Sequence, residues 1–119
     1  MSAAVIRRSL LAIMLMPLAM PSAQAEEVTA HLDCAATFIH TAQLYQAAGQ
    51  DGSMFGEFAV QAMSAASKIK PVEAVHADLR ERVPAQKAAY AKDISDNGQQ
   101  QADMRMLEAL KRCGERYRL

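Results

Sequence analysis

VTAHLDCAATFIHTAQLYQAA, Val28–Ala48, is the stretch whose periodicity decides the fold. Cys34, Phe38 and Tyr45, with Ala35 and Ala42 between them, recur at three- and four-residue steps, and Leu32 and Ile39 stand alongside. That spacing lines one face of an α-helix. Gly49-Gln50-Asp51-Gly52 ends the segment as a turn, and Ser53 stands where an N-cap for the next helix is expected.

Downstream the same signal repeats three times. The second segment, Met54 to Ile69, carries Phe55, Phe58, Ala59, Ala62, Ala66 and Ile69 on one stripe, and its alanines would let a neighbouring helix approach closely. Lys70-Pro71 stops it. The third starts near Val72 and carries Val75, Leu79, Val83, Tyr90 and Ile94. Pro84 interrupts it, which predicts either a kink or two short helices with Pro84 opening the second. Asp96-Asn97-Gly98 is a turn, and the fourth segment runs from about Gln99 to Tyr117 with Ala102, Met106, Leu110, Cys113 and Tyr117 in a row and Ala109 beside it. No alternation of period two runs for five residues, so strands are not expected.

The cysteines connect the outer segments. Cys34 lies early in the first helix and Cys113 late in the fourth, both on apolar stripes. They meet only if those helices are antiparallel neighbours. An up-down-up-down four-helix bundle supplies that relation. The expectation is an all-α bundle, its third helix kinked or split at Pro84, with one disulfide joining the first and last helices. Closing a loop of about 80 residues is worth roughly 4–5 kcal/mol in the chain-entropy model, comparable to the stability of a domain this small. A metal site, a reactive redox pair and intermolecular bridges are the alternatives for the two thiols.

Upstream, residues 1–25 read as an export signal. Arg7 and Arg8 form a positive n-region, Ser9 to Met20 is mostly apolar, and Ala23-Gln24-Ala25 fits an A-x-A cleavage site. The run is too short to span a membrane as a helix. Cleavage after Ala25 would leave Glu26–Leu119 as a single helical domain, periplasmic in a Gram-negative bacterium or secreted. Arg7-Arg8-Ser9-Leu10-Leu11 partly fits a twin-arginine signal, but the strongly apolar core suits the general secretory route better. An even cysteine count in an exported chain fits the disulfide. The mature part keeps eleven cations against thirteen acids, a net charge of −2, and has no basic stripe of the kind nucleic-acid binders carry. Its methionines fall to Met54, Met63, Met104 and Met106.

Motifs for chemistry are sparse. Cys-x-x-Cys-His, Gly-x-Ser-x-Gly, His-Glu-x-x-His and a phosphate loop are absent from the sequence, so covalent haem and the common hydrolase designs are excluded and an enzyme is not expected. A core haem would need axial ligands such as His40 and Met106, yet His40 lies off the Cys34–Phe38–Tyr45 stripe and is expected to face solvent. His31 and Cys34 share a helical face and could join Cys113 around zinc or copper, but the disulfide would consume both thiols, and His31 reads as a solvated histidine at the start of the helix. Met104 and Met106 do not share a face. Glu73, Asp78, Arg80, Glu81 and Arg82 read as a solvated helix face with local ion pairs. Lys111, Arg112, Arg116 and Arg118 sit where a helix dipole favours cations, and could also form a weak basic patch. The sequence therefore suggests a non-enzymatic binding or accessory protein that acts through a helical face, with no cofactor, no nucleic acid and an unidentified protein partner. The alternative is a periplasmic carrier that holds haem or a metal in the bundle core.

Overall fold

The computed structural model describes residues 22–119. The expected signal lies outside the described residues except for Ser22–Ala25, which belong to the first helix. The described chain is four helices: α1 Ser22–Ala47, α2 Ser53–Ser67, α3 Val72–Asn97 and α4 Gln99–Tyr117.

α1 starts six residues before the Val28 boundary expected from its stripe. Ala23, Gln24, Ala25, Glu26 and Glu27 are good helix formers and extend it without core contacts, while burial begins at Val28. The turn after α1 uses Gly49 at φ 74° and Gly52 beneath it. A Cβ on Gly52 would lie 2.5 Å from the Ala42 carbonyl oxygen, so no other residue lets the chain pass this close to α1. The expected Ser53 cap is corrected: Ser53 is already helical, Gly52 holds the N-cap position, and the Ser53 N–H donates to Asp51 Oδ1 at 2.9 Å. That bond holds the Asp51 carboxyl below the ordinary carboxylate range.

α3 runs as one helix through Pro84, so of the two expected outcomes, a kinked helix or two short ones, the chain is not divided. A proline in a helix interior costs about 3 kcal/mol because it removes an amide donor and crowds the turn before it. Here Pro84 and Arg80 are both exposed, so water can reach the carbonyl that the missing amide would have paired with. Buried Val83 and the contacts of Arg82 and Gln86 with α1 fasten the helix on both sides of the proline. Gly98, at φ 89°, joins α3 directly to α4.

Side-chain pairs fix the topology. Tyr45 meets Phe55 and Phe38 meets Phe58, so α2 runs antiparallel to α1. Asp33 meets Arg82, Thr37 meets Gln86 and His40 meets Tyr90, a constant offset of 49 to 50 residues that makes α3 parallel to α1. His31 meets Tyr117 and Cys34 meets Cys113, so α4 is antiparallel. This is the up-down-up-down bundle. α1 touches all three other helices, and the run Cys34–Phe38 is buried on every side. Ala59, Ala62 and Ala66 on α2, Val75, Leu79 and Val83 on α3, and Cys113 on α4 pack around it. The Cys34–Cys113 disulfide bridges Cα atoms 5.5 Å apart.

Candidate functional site

The two flanks of α1 differ in chemistry. The flank toward α3 is closed, by Val75, Leu79 and Val83 in the core and by a row of polar contacts at its edge. Arg82 Nε donates to Asp78 Oδ1 at 2.6 Å, and Arg82 Nη1 donates to Asp33 Oδ1 across the helix pair. The hydrogen bond from Arg82 holds the Asp78 carboxyl below its ordinary range, and the reciprocal bond raises the Arg82 guanidinium. Gln86 Nε2 donates to the Asp33 carbonyl oxygen at 3.1 Å, and Thr37 Oγ1 lies 3.3 Å from Gln86 Oε1. Of the charged residues singled out in this region, Arg82 ties α3 to α1 and pairs with Asp78 along its own helix, whereas Glu73, Arg80 and Glu81 are exposed.

Both expectations of solvated histidines are corrected. His40 is 4 % exposed and packs edge-on against Tyr90, with ring centroids 5.4 Å apart. Burial, then the charge of Lys87, pushes its pKa below the ordinary histidine value. His31 is also buried, and its Nδ1 lies 2.6 Å from the Tyr117 hydroxyl. Burial pushes Tyr117 up to about 12. An apolar stripe by itself implies one buried face on α1. With three neighbouring helices, its polar flank is buried as well.

His40 and Met106 do line one depression, 270 Å³ in volume, together with Thr37, Gln86, Tyr90 and Ala109. The Arg105–Asp93 ion pair, at 2.7 Å, stands at its edge. That volume falls just below the range of small-molecule sites, which begins at about 300 Å³. Cys34 and Cys113 are joined to each other, so they are not free to ligate a metal beside His31. Among the described residues, no group of three or more His, Cys, Asp or Glu side chains is arranged to hold a metal ion. No helix among them is long and apolar enough to cross a membrane.

The other flank is apolar and open. α2 and α4 run parallel to each other on either side of α1 and hardly touch. Between them lies a trough of 590 Å³ with Phe38 at its floor. Phe55 and Phe58 form one wall, and Leu107, Leu110 and Gly114 form the other. It continues past Leu107 and Leu110 into a second hollow of 430 Å³ beside Thr41, Leu44 and Tyr45. Leu107 is 64 % exposed, and Met104 and Met54 nearby on the two helices are half exposed. The terminal cations divide: Lys111 and Arg118 line the trough, while Arg112 and Arg116 lie on the opposite flank beside the disulfide.

Comparison with known proteins finds no counterpart: no family model, curated protein or solved structure matches this chain.

The stripe read from α4 includes Leu110 but not Leu107. Met104 and Leu107, apolar residues off that stripe, were the available sign of a second apolar face.

Proposed function

We propose that this is an exported, non-enzymatic binding or accessory protein whose working surface is the trough between α2 and α4. The observation that carries the reading is the exposure of Leu107 beside Phe55, Phe58 and Leu110, over a bundle whose α2 and α4 do not close. Contiguous exposed apolar surface with a polar rim marks interaction sites. The polar groups on the trough are Lys111, Glu115 and Arg118, a rim suited to orienting a partner rather than to moving protons. The n-region, apolar run and A-x-A site support export, with Glu26 as the first residue of the working form. The long-range disulfide agrees with an oxidising compartment.

A photo-crosslinking phenylalanine analogue at position 107, expressed with the full signal, tests this reading. Irradiation in intact cells should give a discrete adduct, whereas the same analogue at Arg80, exposed on α3, should give none. Equal adducts at both positions, or none at either, would overturn it. N-terminal sequencing of the recovered protein should begin at Glu26. A haem carrier would instead show a Soret band in that same material.

A further inference from the structure

We infer that the partner of the trough is a second copy of this chain, docked through α4 in antiparallel, two-fold fashion. The inference rests on the reading of the trough as a binding face and names its occupant.

The reason lies in a row of charges along α4, three of them on the rim of the trough and the fourth, Glu108, one turn before Lys111. Glu108, Lys111, Glu115 and Arg118 recur at steps of three and four along α4 and its C-cap, and all four are exposed. Glu108, Lys111 and Glu115 at this spacing share one helix face, and Arg118, at the left-handed C-cap, lines the trough together with Lys111 and Glu115. Their signs alternate: negative, positive, negative, positive. The same spacing would allow ion pairs within the helix, yet none of the ion pairs among the described residues involves any of the four.

A row with this alternation is its own complement when reversed. Against an antiparallel copy, Glu108 faces Arg118 of the second copy and Lys111 faces Glu115 of the second copy, and the two-fold axis repeats both pairs. A parallel copy would set like against like. An isologous interface requires this self-complementarity, because each contact occurs twice. Like charges placed opposite each other are penalised, so the row selects direction as well as partner.

The apolar residues match the same arrangement. Leu107 and Leu110 stand just inside the charged row, with Gly114 one turn further on. A Cβ on Gly114 would meet nothing within 4 Å, so packing inside this chain does not require glycine there. Glycine in a helix interior costs about 1 kcal/mol relative to alanine. An approaching α4 helix would use the space: Leu110 of one copy can seat against the bare backbone at Gly114 of the other. The second α4 would then lie over Phe55 and Phe58 and cover the open trough. An anionic amphiphile or anionic membrane would use Lys111 and Arg118 but be repelled by Glu108 and Glu115.

The test is sedimentation velocity of the disulfide-bonded protein, recovered from the periplasm of an expressing bacterium, over a wide concentration range. A reversible monomer–dimer equilibrium is expected. Glu115→Lys should weaken it about tenfold or more, since two opposite-charge contacts become two like-charge contacts. The double change Lys111→Glu with Glu115→Lys should restore dimerisation, which a folding defect would not do. A monomer at every concentration, or a dimer indifferent to Glu115→Lys, overturns the proposal. The adduct at position 107 separates the two levels: twice the chain mass supports the dimer, an adduct with another polypeptide overturns the dimer but keeps the trough as a binding face, and no adduct removes both.

Discussion

α1 is sealed toward α3 and open between α2 and α4: both flanks bury apolar side chains, but only the α3 flank adds a row of polar contacts. Toward α3, Asp33, Thr37 and His40 meet Arg82, Gln86 and Tyr90 in register. Each of these contacts is directional, so this side specifies where α3 lies. Between α2 and α4, Phe55, Phe58 and Leu110 offer non-directional apolar surface, and Leu107 remains mostly in water. Directional polar contacts fix a geometry inside the chain. Unfilled apolar surface leaves binding energy for something outside it.

The strongest way to break this contrast is to cut the link that holds α4 in place. Cys34→Ser should lower stability by about 4–5 kcal/mol, the chain-entropy value for a loop this long, and lower Tm by roughly 20–35 °C. Thermal denaturation measures the loss, and Cys113 should become reactive toward maleimides. An unchanged Tm would mean that helix packing alone sets the α4 wall.

On the closed flank, Arg82→Ala should cost about 1–2 kcal/mol in urea denaturation, because it leaves Asp78 and Asp33 without their donor. The native Asp78 carboxyl is held below its unfolded value. Its stabilisation is therefore present above the ordinary carboxylate range and is lost as pH falls through the lowered native value. The variant should lack that part of the acid dependence. If it keeps the full dependence, the Asp78–Arg82 bond does not fasten this flank.

A smaller effect is expected at His40. Its native pKa lies below the unfolded one, so the unfolded chain takes up the proton first as pH falls. Stability should be complete above about 6.5, the ordinary histidine value, and decline below it toward the native pKa. Melting curves between pH 7.5 and pH 5 should show that decline in the native protein and a flatter profile in His40→Gln. A decline of equal size in both would place its origin elsewhere.

The smallest change in stability belongs to the open flank. Leu107→Ser should shift unfolding by less than about 0.5 kcal/mol, because little of that side chain is buried in the chain itself. Measured at low protein concentration, a loss several times larger would show that Leu107 serves this fold rather than a partner.

Helix number, order and the disulfide were legible because they rest on local periodicity and on a single pairing choice. Val75, Leu79 and Val83 are buried as their spacing implies, and Ala102 and Cys113 on α4 likewise. The site was far less legible. The spacing around Cys34 and Phe38 described one face of α1, but the helix is covered on both the apolar and the polar side. His31 and His40 were therefore misplaced by the same assumption. Pro84 left a kink and a split both open from sequence, because contacts on both sides of it, which decide whether a local penalty of about 3 kcal/mol divides the helix, are tertiary.

The sequence by itself determined what depends on neighbours along the chain: four amphipathic segments, glycine turns at Gly49–Gly52 and Gly98, and two thiols with one partner each. Tertiary structure alone decided which flank of α1 is closed and which stays open. Periodicity shows that a face is apolar, whereas the number and direction of helices packed against it decide whether that face is covered. Three helices around α1 close its flank toward α3 and leave Phe55, Phe58 and Leu110 reachable between α2 and α4.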